Sequence, residues 1–313
     1  MKLPTISVII TYHNEGELLQ QAIDSINSQT YKGEIEIVVV DDASENLPIL
    51  PSNSRLPIRL IRSNRNIYLP AARNLGIRNS SGEFVAFLDA DDVYLPEKIE
   101  QETKALLGWD DAVMVGGQGY VERYGITSIH QPPLAYTWFG EFSTKVPCLI
   151  PERVRTDICV AYLFHSCGFI VRRSALDTIG GFVESYRWGE EWDLQIRLAQ
   201  IGRIGYVPLP GYRYIARDGS MTAINNPLKF ESWAEINRVH RLAVSGLSSD
   251  YKRQMRKTES QALLLATQIY LENIKKPISA WHCARKSLQR KISIWGVRSL
   301  VRSTLHLIKD KLL

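Results

Sequence analysis

Three aspartates fall within four positions in Phe87-Leu88-Asp89-Ala90-Asp91-Asp92, directly after the apolar run Phe84–Leu88. Like charges this close repel, so the crowding needs a reason. A solvated turn is one, because Asp hydrogen-bonds its own backbone and caps helices. A hard divalent cation, Mg²⁺ or Mn²⁺, is another. Such ions take oxygen ligands, commonly one or two carboxylates together with substrate phosphates. Under that reading Asp89 and Asp91 face a ligand, and Asp92 serves the turn.

The same arrangement recurs. Ile6–Ile10 is followed by Thr11-Tyr12-His13-Asn14-Glu15, and the β-rich run Ile35–Val40 by Asp41-Asp42. In each case the strand is apolar and the acid appears where it stops. In open parallel sheets ligands bind outside the carboxyl ends of the strands, so three such ends describe one crevice. A second acid cluster lies about 100 residues later, in Trp188-Gly189-Glu190-Glu191-Trp192-Asp193-Leu194. Beside two tryptophans, a desolvated carboxylate would become a better base. The competing reading is a helix start whose acids complement the macrodipole. Glycine-rich phosphate loops are excluded: there is no G-x-x-x-x-G-K-[ST], and Gly116-Gly117-Gln118-Gly119 meets Glu122 where a third glycine belongs.

These groups need a scaffold. Leu18, Leu19, Ala22, Ile23 and Ile26 line one face of a helix after the first strand. Leu60-Ile61 marks a weaker strand, Ala71–Ile77 a helix, and a further helix follows Pro96. Ala112–Val115 and Gly168–Arg172 read as strands. A helix is expected through Ile179 to a Gly180-Gly181 stop, and another over 193–201. Strands alternating with helices imply an α/β fold, a mostly parallel sheet with helices on both faces. Residues 118–160 lose the rhythm. Rich in Pro, Gly and aromatics (Tyr136, Trp138, Phe139, Phe142), they read as loop and substrate-facing insert. From about 227 the pattern is helical to the end, broken by Pro277.

The chain has 313 residues, 45% hydrophobic and 23% charged, which excludes disordered and collagen-like classes. It holds no run of roughly 18 apolar residues, and its N-terminus lacks the features of a signal peptide. Cys148, Cys159, Cys167 and Cys283 show no paired short spacing, so free thiols in a reducing cytoplasm are expected. The net charge of +5 conceals an asymmetry: residues 251–313 hold 14 Lys+Arg against 3 Asp+Glu, whereas 1–250 hold 24 against 30. Basic pairs there alternate with Ile292, Ile294, Trp295, Val297, Leu300, Val301, Leu305 and Ile308. That pattern describes either an amphipathic helix on an anionic membrane or a helix packed on the body with its basic side in water. No nucleic-acid recognition motif accompanies the charge.

Taken in order, Ser7–Glu15, Ser28-Gln29-Thr30, Val39–Ser44, Ala71-Ala72-Arg73-Asn74-Leu75-Gly76, Phe87–Asp92, Gly180-Gly181-Phe182 and Gly189–Leu194 resemble the family-2 inverting glycosyltransferases of the GT-A fold, from residue 5 to about 222. The resemblance implies a Rossmann-like catalytic domain over 1–225, with a nucleotide-sugar half to about 117 and an acceptor half beyond it. A basic helical extension occupies 226–313. It implies that Thr11, Glu15, Asp41, Asp42 and Arg73 hold a nucleotide-diphosphate sugar donor. Asp89 would face the ribose and Asp91 a Mn²⁺ or Mg²⁺ ion, with Asp89 also near the metal. Glu190 would bind substrate, and Glu191 would be the general base toward a saccharide or lipid-linked acceptor. The sequence departs from the family in three places. Glu191 stands where Asp is usual, Asn64-Arg65-Asn66 replaces Asn-x-Gly, and Arg217 replaces the histidine of the late H-x-G-S segment, from where it could pair with phosphate. His13 and His165 are given no part in the mechanism. Donor sugar, base, linkage and oligomeric state are not assigned.

Overall fold

The computed structural model describes residues 2–123, 125–130, 146–159, 162–217 and 226–312. The chain divides into two compact units, one of residues 1–185 with 190–218 and one of 186–189 with 219–313.

The first unit opens with β1 (Ile6–Tyr12), α1 (Leu18–Asn27), β2 (Ile35–Asp41), β3 (Ile58–Arg62), α2 (Tyr68–Arg78) and β4 (Phe84–Asp89). β1 is buried along its whole length, which is why its side chains are β-branched and apolar on both faces. It lies parallel to β2 and to β4, and this register sets Thr11 beside Asp89. Val8 and Ile10 pack with Leu19, Ile23 and Ile26 of α1. On the opposite face Ile9 meets α2 so closely that a Cβ on Gly76 would sit 2.4 Å from its side chain. Helices therefore cover both faces, as the alternating pattern predicts.

The unit continues through β5 (Val93–Tyr94), α3 (Lys98–Leu107), β6 (Ala112–Arg123), β7 (Ile126–His130), β8 (Cys148–Leu149), α4 (Val154–Asp157), a single 3-10 turn at Ser166–Gly168, β9 (Phe169–Arg172), α5 (Arg173–Ile179), α6 (Glu190–Ile201) and β10 (Arg203–Ala216). The main path of the sheet runs β3-β2-β1-β4-β9-β6-β10-β5, with β7 on β6 and β8 on β10. Its longest ladders are parallel, and β9 bridges the two parallel groups by pairing antiparallel with β4 and β6.

Three expectations change. Residues 118–123 and 126–130 are not loop: β6 runs to Arg123, and β7 pairs antiparallel with it. Tyr136, Trp138, Phe139 and Phe142 lie outside the described residues. Residues 203–216, to which no element is assigned from sequence, form the long strand β10; its register on β6 shifts around Val207, Pro210 and Tyr212, where the prolines cannot donate. The helix expected over 193–201 begins at Glu190, which puts the acid pair in its first turn.

The second unit holds α7 (Pro227–Ala243), α8 (Ser249–Glu272), α9 (Pro277–Arg290) and α10 (Ile294–Leu312). Its core is Ala234, Ala262, Leu263, Ala266, Tyr270, Leu271, Ala280 and Cys283. Pro277 sits in the first turn of α9, where a missing N–H costs nothing. No helix among the described residues is long and apolar enough to cross a membrane, and all four cysteines are free.

Candidate functional site

The crevice has a buried floor. At the end of β1 the Thr11 hydroxyl donates to Asp89 Oδ1 (3.2 Å), while the amide of Ala90 donates to the Thr11 carbonyl (3.2 Å). Arg73 reaches the same carboxylate from α2. It is only 1% exposed, and its Nη2 donates to Asp89 Oδ1 at 2.9 Å while its Nη1 donates to Glu190 Oε1 at 2.8 Å. Ser166 adds a third donor, at 3.2 Å to Asp89 Oδ2. Burial alone would raise Asp89, but Arg73, His165 and Thr11 outweigh it and hold the carboxyl below its ordinary range. Burial likewise opposes the charge of Arg73, and Asp89, Glu190 and Glu191 overcome it.

Arg73 is aimed by its neighbour. Asn74 Nδ2 donates to the Phe182 carbonyl (2.9 Å), and the Phe182 amide returns a bond to Asn74 Oδ1 (2.8 Å). The guanidinium carbon of Arg73 then lies 5.4 Å from the centre of the Phe182 ring. The Arg-Asn and Gly-Gly-Phe stretches, more than 100 residues apart in sequence, are thus two halves of one clamp.

Glu190 is buried and Glu191 partly exposed at the start of α6. Burial, with the charge of Glu191 behind it, pushes Glu190 well above the usual carboxylate range despite Arg73. The desolvated acid of the pair is therefore Glu190, not the expected base. Glu191 is close enough to Tyr162, His165 and Arg73 to act on them electrostatically. The third acid of this turn, Asp193, accepts from Arg197 Nε at 2.8 Å.

The rim is more open. Asp91 follows β4 and pairs with Arg217, which lies just beyond β10. Burial and the charge of Asp89 raise Asp91, and Arg217 opposes the shift. Glu15 is raised by burial against the backbone amide of His13, with Asp91 and Asp89 adding to the rise. Three hard oxygen-donor acids thus sit within electrostatic reach of one another, a set that fits Mg²⁺ or Mn²⁺. Asp91, with Asp89 beside it, would hold such an ion.

Asp41 and Asp42 also have partners within the protein. Asp41 accepts from the Ser44 amide (2.9 Å) and pairs with Arg62 (3.1 Å). Asp42 accepts from the amides of Ile67 (2.6 Å) and Tyr68 (2.8 Å) at the start of α2. Both carboxylates fasten loops around the mouth of the crevice. Asn14 and Ala43 in the loops there, and Tyr68 at the first residue of α2, all have positive φ. Backbone strain of this kind gathers at ligand sites.

The sequence assigns no part in the mechanism to His165, Ser166 or Cys167. His165 stacks on Tyr212, with ring centroids 5.8 Å apart, and burial lowers its pKa against the pull of Asp89, Glu191 and Asp91. Among the described residues, Asp92, His165 and Cys167 bring an oxygen, a nitrogen and a sulfur within 4.8 Å of one another. Their chemistry argues for a neutral cluster. Burial pushes both the Cys167 thiol and Asp92 well up, the thiol donates to Asp92 Oδ2 (2.9 Å), and Asp92 Oδ1 accepts the Ile215 amide (3.1 Å). Asp92 is thereby the structural member of the D-x-D-D run. The only hint in sequence was position: His165 and Ser166 directly precede a strand that inserts between two others.

Residues 7–180 match the sequence model described as glycosyl transferase family 2. An uncharacterized glycosyltransferase of Rickettsia felis is 28% identical over 211 residues, 65% of this chain; the chain spans only 33% of that relative's length. Succinoglycan biosynthesis protein ExoO of Rhizobium meliloti is 26% identical over 287 residues, covering 88% of this chain and 79% of ExoO. In three dimensions the chain resembles S. aureus TarS 1–349 solved in complex with UDP-GlcNAc. The TM-score is 0.65 at 18% identity, over 93% of this chain and 81% of that one.

Proposed function

The chain belongs to glycosyl transferase family 2, and on that premise we propose that it moves a sugar from a nucleoside-diphosphate donor to a hydroxyl of a saccharide or lipid-linked acceptor, inverting the anomeric carbon, with Mn²⁺ or Mg²⁺ bound. The observation that carries this reading is the Thr11–Asp89–Arg73–Glu190 chain. It ties the strand ends that would receive a nucleotide to the helix turn that presents Glu191. A buried guanidinium shared by two carboxylates fixes the distance between the two halves of the reaction.

In the proposed reaction Asp41, Asp42 and Glu15 line the nucleotide end and Asp89 meets the ribose. The Glu191 carboxylate takes the proton of the acceptor hydroxyl. The freed oxygen attacks the anomeric carbon, the bond from that carbon to the diphosphate oxygen breaks, and its electron pair leaves on the diphosphate. A single displacement inverts the centre. Asp91 would hold the divalent ion, which when bound would supply charge neutralisation for the leaving diphosphate. Arg217 adds a guanidinium suited to phosphate oxygens.

A thermal-shift comparison of UDP, GDP, TDP and CDP with Mn²⁺ identifies the nucleotide, and the matching sugar donors are then assayed for transfer. Glu191→Gln is expected to bind nucleotide as wild type does and to lose about 10²–10⁴-fold in transfer. Transfer at the wild-type rate would remove Glu191 from the role of base.

The relative named for succinoglycan biosynthesis supports polysaccharide assembly as the setting, and the second unit supports attachment to the cytoplasmic face of a membrane. On α10, Ile294, Val297, Val301 and Leu305 are exposed, Arg298 and Arg302 flank them, and Trp295 is 71% exposed. Such a face suits an anionic bilayer. The side chain of Ile308, expected on the same stripe, lies outside those described. Full-length protein should float with anionic liposomes, and Val301→Glu/Leu305→Glu should stay at the bottom of the gradient while still transferring sugar to a soluble acceptor. Equal flotation would remove the membrane from the reading.

A further inference from the structure

The two carboxylates of the D-x-D turn are served very differently. Asp89 accepts from Arg73, Thr11 and Ser166, all within 3.2 Å. Among the described residues Asp91 has a single cationic partner, Arg217. Its side chain is 41% exposed, whereas that of Arg73 is 1% exposed. The placement of Arg217 follows from the sheet. Tyr212 and Arg213 of β10 pair with Tyr94 and Val93 of β5, just past the turn. The Ile215 amide is bolted to the side chain of Asp92. Two residues beyond that bolt the guanidinium arrives at Asp91. A half-exposed ion pair of this kind is weakly held and easily exchanged.

We propose that Arg217 is the resident counter-ion of Asp91: it holds the cation position in the donor-free protein and competes there with a divalent metal. When a donor arrives, its diphosphate gives the guanidinium a bidentate partner of higher charge. Arg217 then moves to phosphate and leaves Asp91 to the metal, so metal and donor bind cooperatively. The inference rests on the reading of the crevice as a metal-assisted donor site, and it adds an order of events. The exchange conserves charge, since a cation replaces a cation on Asp91 while the diphosphate neutralises the one displaced.

Binding of Mn²⁺ is read from the electron paramagnetic resonance signal of the free ion, using full-length wild type, Arg217→Ala, Arg217→Lys and Arg217→Ala/Asp91→Asn. Each is titrated alone and with the nucleoside diphosphate that stabilises wild type most. Without nucleotide, Arg217→Ala is expected to bind Mn²⁺ about tenfold more tightly than wild type, the order expected for removing one competing charge at a partly solvated site. Arg217→Lys should stay near wild type, and the double variant should lose the gain. With nucleotide, the advantage of Arg217→Ala should vanish. Equal Mn²⁺ affinity of wild type and Arg217→Ala without nucleotide, with tightening by nucleotide in both, overturns the counter-ion role and leaves the donor-site reading standing. If no protein binds Mn²⁺ even with nucleotide, both fall. Thermal melting of each variant identifies any loss of fold that would mimic weak binding.

Discussion

The floor and the rim of the crevice are built from the same residue types on opposite principles. On the floor, Arg73, Asp89 and Glu190 form a buried hydrogen-bonded chain in which Arg73 and Asp89 pair as ions and the raised Glu190 carboxyl accepts from Arg73. On the rim, Asp91, Glu15 and Glu191 are less enclosed, and Arg217, the cation paired with Asp91 among the described residues, is half exposed. A buried ion pair adds little net stability over a well-packed apolar one, yet losing one partner leaves an uncompensated charge at a cost of about 3–5 kcal/mol. The floor is thus intolerant of change and suited to fixing geometry. The rim can exchange partners, as groups that meet substrate, metal and product must do. Carboxylates here take their role from what surrounds them.

The hardest test of this contrast is Arg73→Met, which keeps bulk and removes the charge. Asp89 and Glu190 would lose their shared partner, and urea denaturation should show about 3–5 kcal/mol less stability, with transfer abolished. Adding Glu190→Gln should restore part of the stability, because Asp89 still has Thr11 and Ser166. A stable, active Arg73→Met would mean that the floor is not what holds the two halves together. Glu191→Gln is the counterpart on the rim. Its effect falls mainly on the rate: Gln can still hydrogen-bond the buried Glu190 carboxyl, so stability should stay within about 1 kcal/mol of wild type.

What the sequence made legible follows the same division. The strands that end in acid, β1, β2 and β4, were readable because apolar runs and the acids after them are local patterns. Their burial between helices on two faces follows from the lack of alternation. The hairpin of β6 and β7 was hidden because residues from 118 onward, Gly119 among them and Gly116 and Gly117 just before, read as loop. A Cβ at Gly116 would lie 2.6 Å from the Phe164 ring, and one at Gly119 2.3 Å from the Tyr212 ring. Those glycines make room for rings from elsewhere in the chain, and no local window contains that fact. β10 was hidden by Pro208, Pro210 and Gly211, which sit at register shifts. In the site, motif resemblance named Arg73 and Glu190 singly but not their bond. Cys167 and Asp92 were readable only as a free thiol and a turn residue. His165 looked like any buried histidine until the fold set it beside Asp89.

The clamp that aims Arg73 gives the finest test, because its two glycines are adjacent and differ in one respect. Gly180 and Gly181 both have positive φ, 74° and 71°. Alanine at either suffers the left-handed penalty, roughly 1–2 kcal/mol. At Gly180 a Cβ meets nothing within 4 Å, so the penalty is the whole effect. At Gly181 the Cβ would lie 2.5 Å from Asn74 Oδ1, the atom that accepts the Phe182 amide. Gly181→Ala must therefore either displace Asn74 or break that bond, adding about 1 kcal/mol or more to the backbone strain. It should also lower transfer, since Asn74 and Phe182 orient Arg73, whereas Gly180→Ala should melt earlier and transfer normally. If both variants lose stability equally and keep full activity, Asn74 is spacing the chain rather than aiming the guanidinium. The floor would then owe its geometry to the Arg73 ion pairs alone.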